Sequence, residues 1–229
     1  MRFHAIGILL CCSFFSDLFS TPVLAEDLSP AEQSEGFVSL FDGQTLTGWT
    51  GATEGYAVVD GTLQCLAGKG GNLLSEKEYS DFVLRLEFRL PPGGNNGVGI
   101  RAPAMGHVAT EGIEIQILDD TAEKYQTLAP YQYQGSVYGL IAAKRGSLRE
   151  VGAWNEQEIL CVGRKIAIRL NGVVIVDGDL DDALKNGSMD GKEHPGAHRT
   201  TGHVGFLGHD DPVAFRKIRI REVTSPVKD

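Results

Sequence analysis

Residues 82–90, "FVLRLEFRL", constrain the fold most. Phe82, Leu84, Leu86, Phe88 and Leu90 alternate with Val83, Arg85, Glu87 and Arg89, the period-two pattern of a strand with one buried and one wet face. "YAVVDGTLQC" breaks at Asp60-Gly61 and "RKIAIRLNGVVIVDG" at Asn171-Gly172. Both dipeptides take the positive φ angles that tight hairpin turns need. "VGIRAP", "GIEIQIL", "GSVYGLI", "EQEILCV", "HVGFLGH" and "VAFRKIRIREV" add further candidate strands. In the last, Phe215, Ile218 and Ile220 alternate imperfectly with Arg216, Arg219 and Arg221, which predicts a bulge near Lys217. No stretch carries a helical period; "TAEKYQTL" and "DDALKNG" suffice for one or two turns each. Short strands throughout and 29 glycines predict an all-β chain, a two-sheet antiparallel jelly-roll sandwich.

The first twenty-five residues stand apart. Arg2, an apolar run to Phe19 and the closing Val23-Leu24-Ala25 form a secretory signal peptide, with cleavage expected after Ala25. The run is too short for a stable membrane anchor, and Leu10 before Cys11 argues against lipidation. Residues 26–229 are then expected to form one domain, exported to the periplasm or beyond. The formal charge of −9 argues against nucleic acid and anionic membranes as partners, and a neutral, sugar-like ligand fits better. Cys65 and Cys161 each lie in an apolar strand pattern. Export permits a disulfide; spacing leaves pairing and separate burial both open.

The chemistry centres on "EGIEIQILDD", residues 111–120. In a regular strand Glu114 and Gln116 share a face and Asp119 points away. A one-residue bulge at Ile117-Leu118 would return Asp119 to that face. The spacing then resembles the catalytic strand of laminarinase-type retaining glycosidases, whose two carboxyl groups stand about 5 Å apart. Gln116 occupies a position that is Asp in those enzymes, which argues against double displacement.

Arg101, following Val98 and Ile100, is expected to cap the same concave face. Tyr138 in "GSVYG" and Trp154 in "AWN" are residue types that stack on sugar rings, and Arg216 is a further substrate-binding candidate. His209 is the side chain best suited to exchange a proton near neutral pH. Each has a plainer reading. Glu114 and Gln116 suit a solvated sheet face, Arg101 and Arg216 pairing with surface acids, Tyr138 and Trp154 core packing, and His209 a turn cap beside "DDP".

No cofactor is expected. His194, His198 and His203 sit in Pro/Gly context without the rigid helical face of a metal motif. The acidic loops at Asp42 and Asp210-Asp211 carry oxygen ligands of the kind calcium takes. Residues 177–202 form the one long irregular stretch, functional or a solvated, mobile loop.

The order of "GFVSLFDGQTLTGWTG", "VVDGTLQC", "GGNNGVGIR", "GIEIQILDD", "GSVYG", "GAWNEQEI" and "VGFLGHDDPVAFRKIRIREV" resembles the 3-keto-disaccharide hydrolase family over about residues 36 to 223. The family's fold is a concanavalin A-like β-sandwich of exported bacterial proteins. The family usually reads Asn-Ser-Gly where this chain has Asn95-Asn96-Gly97. The resemblance implies cleavage of 3-keto-glycosides. Oxidation at carbon 3 acidifies the carbon-2 proton; a base removes it, the anomeric substituent leaves by elimination, and water adds. Glu114 or His209 would act as base, Arg101 as enolate stabiliser, and Asp119 as a partner orienting His209 or Arg101. The runner-up is a non-catalytic carbohydrate-binding module on the same sandwich. A flat aromatic platform would favour it, and convergent polar groups would favour the enzyme.

Overall fold

The computed structural model describes residues 28–224, and its architecture is the expected two-sheet antiparallel sandwich. The predicted leader at 1–25 lies outside the described residues. A capped turn of helix, α1 (Pro30–Ser34), leads into β1 (Val38–Ser39), β2 (Trp49–Gly51), β3 (Tyr56–Val59) and β4 (Thr62–Cys65). β5 (Gly70–Tyr79), β6 (Phe82–Arg89), β7 (Asn95–Ala102), α2 (Val108–Glu111) and β8 (Ile113–Leu118) follow. The rest comprises β9 (Trp154–Val162), β10 (Lys165–Leu170), β11 (Val173–Asp179), α3 (Leu180–Leu184), β12 (Gly202–His209) and β13 (Ala214–Glu222).

The larger sheet has the order β11-β10-β9-β6-β13-β4-β3, with β1 beside β13; the smaller runs β2-β5-β12-β7-β8. Both hairpins form as expected. Asp60 and Gly61 take φ of 49° and 74°, and Asn171 and Gly172 take 50° and 84°. The bulge in β13 is also present: Lys217 has φ 49°, and the pairing with β6 slips between Arg216 and Arg219.

Inward side chains of both sheets meet in one core. Phe82, Leu84, Leu86 and Phe88 of β6 and Ile113, Ile115 and Ile117 of β8 all enter it. Phe206 of β12 stacks on Phe215 of β13 with ring centroids 4.0 Å apart, which ties one sheet to the other. Burial of each such ring contributes about 1.5–3 kcal/mol. Cys65 and Cys161 are buried free thiols. β13 and β6 separate their strands; at about 4.8 Å per strand that gap is far beyond disulfide reach.

Two expectations changed. "GSVYGLI" is not a strand: Val137 makes single bridges to Ile115 and Ile141, and the left-handed Gly139 (φ 72°) turns the chain back. The stretch 177–202 is folded rather than a loose loop. It carries α3 and a 3-10 turn at Pro195–His198. A Cβ on Gly196 would meet the Gly112 carbonyl oxygen at 2.1 Å, so this segment docks backbone to backbone against the start of β8.

Candidate active site

The regular register of β8 decides which face carries chemistry. Its pairing with β7 runs from Asn95 opposite Leu118 to Ile100 opposite Ile113 without a break. Ile113, Ile115 and Ile117 therefore enter the core. Glu114, Gln116 and Leu118 face the outside of the smaller sheet, where they line a cleft of about 360 Å³. The bulge expected at Ile117-Leu118 does not form. Asp119 points away from the cleft and ties the turn instead, accepting from Gly93 N at 2.7 Å and from Thr121 Oγ1 at 2.6 Å.

Glu114 is only 5% exposed. Among the described residues its carboxylate has one charged neighbour, His209, with Nε2 at 3.8 Å from Oε1. That gap is an ion pair rather than a formed hydrogen bond. The Glu114 carboxylate holds the half-exposed His209 imidazole above its ordinary pKa. Partial burial opposes the rise, and Asp210 and Asp211 add to it.

Room for this pair comes from β7. A Cβ on Gly97 would lie 2.2 Å from Glu114 Oε1, so the carboxylate rests where any other residue would place a methyl group. Gly99 does the same for α2, whose Val108 Cγ1 would lie 3.1 Å from a Cβ there. Val108 packs with Leu74, Ala102 and Leu207 on the outer sheet face, and this small cluster fixes α2 beside the cleft.

Gln116 Nε2 donates to Asn95 Oδ1 at 2.7 Å and to the Asn96 carbonyl at 3.4 Å. Both residues line the cleft, and these bonds use neither the Gln116 side-chain carbonyl nor the Asn95 amide group. Tyr138 also lines the cleft. Its hydroxyl accepts from Gln132 Nε2 at 3.2 Å, and its ring packs edge-on against Tyr131. The phenolic proton remains available to donate.

Three candidates lie elsewhere. Arg101 has φ 46°, and the pairing of β7 with β12 slips beside it. This bulge re-aims the side chain, which is 1% exposed and donates to Arg199 O, Ser80 O and Asp81 Oδ1. It braces the fold and does not line the cleft. Trp154 and Arg216 belong to the larger sheet. The Trp154 ring lies between Arg89 at 4.8 Å and Arg216 at 4.2 Å, and Arg216 Nε bonds Glu87 at 2.7 Å. The pattern of these residues showed alternation but not which sheet would hold them.

Cleft residues that the sequence did not point to come from short segments. α2 and the residue before it supply Thr110 and His107; the turns after β8 supply Tyr125, Leu128 and Gln132; the segment after α3 supplies Asp190 and Lys192. None sits in a stretch long enough to show a period. His194, His198 and His203 do not converge. His194 bonds Asp190, His203 bonds Ser75 O at 2.7 Å, and His198 is exposed. Among the described residues no three His, Cys, Asp or Glu side chains are grouped to hold a metal. Asp42 already accepts from Gln44 N and Thr45 N and Oγ1, and Asp211 from Asn95 N.

The arrangement offers the buried Glu114 carboxylate beside an imidazole, with amide and phenol donors around it, and β8 supplies no second carboxylate. It can move a proton and its counter-proton, and it lacks the Glu114–Asp119 pairing that covalent retention would use.

Known proteins share this plan. A Bacteroides thetaiotaomicron protein described as a 3-keto-disaccharide hydrolase is 23% identical over 228 residues, covering 82% of this chain and 79% of that protein. Two Parabacteroides distasonis crystal structures, described as candidate glycosyl hydrolases, superpose with TM-scores of 0.72 and 0.75 at 29% and 22% identity. They match 82% and 86% of this chain and 99% of each of theirs. The family model for 3-keto-alpha-glucoside-1,2-lyase-like domains matches residues 36–221. The chain belongs to that family of glycosyl hydrolase-like, carbohydrate-active proteins.

Proposed function

We propose that this protein is an exported hydrolase of 3-keto-glycosides or related modified disaccharides. The observation that carries the reading is the Glu114–His209 pair in the cleft, with Asp119 turned away. Export rests on the sequence of residues 1–25 alone.

Glu114 removes the carbon-2 proton, and the electron pair passes toward the carbon-3 carbonyl. Asn95 and Tyr138 are the neutral donors on the same walls that suit the developing enolate oxygen. The family resemblance implied this role for Arg101, which does not line the cleft. His209, held protonated by its carboxylate neighbour, donates to the glycosidic oxygen as the bond from carbon 1 breaks. The enone product then takes water at carbon 1. His209 accepts the proton of that water and Glu114 returns its own to carbon 2, so both groups end as they began.

The binding-module reading calls for an aromatic platform. Trp154 is on the other sheet and Tyr138 meets the cleft among polar neighbours, so convergence favours the enzyme. The test is release of a chromogenic aglycone from a 3-keto-glucoside and from its unoxidised parent, with wild type and Glu114→Gln. Turnover of the keto sugar alone, lost in the variant, supports elimination. Glycan binding without turnover of either supports the binding module.

A further inference from the structure

Asp190 is the anomaly in the cleft wall. Two other carboxylates that tie turns use both oxygens: Asp119 accepts from Gly93 on one and from Thr121 on the other, and Asp42 likewise engages both. Asp190 does not. Its Oδ1 takes His194 Nε2 at 3.0 Å and Lys192 N at 3.1 Å, while Oδ2 is buried without a hydrogen-bond partner. The Ser188 hydroxyl donates to Lys192 O at 2.6 Å and also lies near enough to the Asp190 carboxylate to help hold it ionised. The Asp190 side chain is 3% exposed, yet the residue lines the same cleft as Glu114 and His209.

This placement is built. His194, with a fully buried side chain, and Asp190 Oδ2 both lie where Gly139 has no Cβ; a methyl there would come within 2.6 Å of the ring and 3.0 Å of the oxygen. Met189 N donates to Gly139 O at 2.7 Å, and Gly196 abuts Gly112. The segment is thus fixed on both sides of Asp190. Burial alone would raise the Asp190 pKa, but hydrogen bonds led by the Lys192 amide outweigh it and hold the carboxyl below its usual range. The group is an ionised acceptor whose Oδ2 makes no direct hydrogen bond, an arrangement that buried polar groups ordinarily avoid.

We propose that Asp190 determines specificity by accepting, at Oδ2, a hydrogen bond from a hydroxyl of the sugar held in the cleft. His194 acts as its positioning residue. The inference rests on the reading that a sugar fills the cleft, and it adds a contact that "EIQILD" and its neighbours did not supply.

The test compares a 3-keto-glucoside with its 4-deoxy and 6-deoxy analogues, using wild type, Asp190→Ala, Asp190→Asn, His194→Gln and His194→Leu. Removing the recognised hydroxyl is expected to lower wild-type kcat/KM by about 100-fold, since a site built to bond a hydroxyl rejects the analogue lacking it. Asp190→Ala should treat that pair alike to within about threefold, with the change mainly in KM. His194→Gln, which keeps an N–H, should retain discrimination, and His194→Leu should lose it. Asp190→Asn serves if the alanine variant does not fold, with a loss of about tenfold or more. Folded Asp190 variants with wild-type discrimination against every analogue would overturn the inference and leave the function intact. If wild type turns over no keto sugar, the functional reading fails. Calorimetric titration with unoxidised glucosides then decides: weaker binding by Asp190→Ala supports the contact, and equal or absent binding overturns it.

Discussion

Substituting Gly97 by Ala separates the position of the carboxylate from the stability of the fold. The new methyl would lie 2.2 Å from Glu114 Oε1 and 2.9 Å from its Cδ and Cγ, where ordinary contact begins near 3.4 Å. The clash is with the mobile end of a side chain, so the carboxylate must retreat by about 1 Å, and a displacement of that size can cost about 100-fold in rate. In barrier terms that is about 2.7 kcal/mol. Gly97 is not among the left-handed glycines, so alanine adopts its backbone without strain. Alanine within a strand also recovers about 0.5–1 kcal/mol relative to glycine, so stability should change by no more than about 1 kcal/mol in either direction. The assay is aglycone release from a 3-keto-glucoside beside a thermal melt. The expected result is kcat down by about 100-fold, KM within about threefold and an unchanged melt. Adding Gly97→Ala to Glu114→Gln should cost little more than Glu114→Gln alone, because the displaced carboxylate is then already absent. Wild-type kcat in a folded Gly97→Ala protein would refute the placement of Glu114 as base.

His209 supplies a pH dependence. Its pKa is raised above the ordinary 6.5 by the Glu114 carboxylate, so an acid role keeps kcat/KM level through pH 6.5 and lets it fall only above that, in a pH–rate profile. The pair's share of stability has the same sign: full below 6.5, and lost as pH rises through the raised value. An NMR titration that finds His209 at or below 6.5 contradicts both. Arg101→Met removes a buried guanidinium from its carbonyl and Asp81 partners and should lower stability by about 3 kcal/mol. Denaturant unfolding reads this, with KM of the folded fraction unchanged. Trp154→Ala removes a ring held between two guanidinium groups and should cost about 1–2 kcal/mol of stability. Its kcat/KM should stay at the wild-type value, because the ring lies outside the cleft. Reductant should leave the melting temperature unchanged, since Cys65 and Cys161 are separate buried thiols.

The parts legible in the sequence were those governed by local rules. Alternation in β6 gave its buried face, and Asp-Gly and Asn-Gly gave both hairpins. Parity along β8 put Glu114 and Gln116 on one face. Parity failed where a bulge intervened: the left-handed Arg101 shifts β7 by one residue and carries its guanidinium out of the cleft. The proposed bulge in β8 had no such anchor and is not there. β5 was missed as a strand because Leu73 and Leu74, adjacent in sequence, serve different cores, the main one and the cluster under α2. Trp154 was placed in the cleft on residue type, whereas sheet membership put it outside. Asp190 lies in the 177–202 segment, whose position depends on the backbone contacts of Gly139, Gly112 and Gly196 rather than on any pattern of its own. Gly97 carried a readable signal, a glycine two residues into a strand, but its meaning required the carboxylate above it.

The most direct test of carbon-2 proton abstraction by Glu114 is the isotope effect on cleavage of a 3-keto-glucoside deuterated at carbon 2. The account predicts a primary effect on kcat/KM in the wild type, turnover abolished in Glu114→Gln, and no cleavage of the unoxidised glucoside. Equal rates for the protiated and deuterated sugars, with the unoxidised parent cleaved as well, would contradict it and return the cleft to conventional glycosidase chemistry.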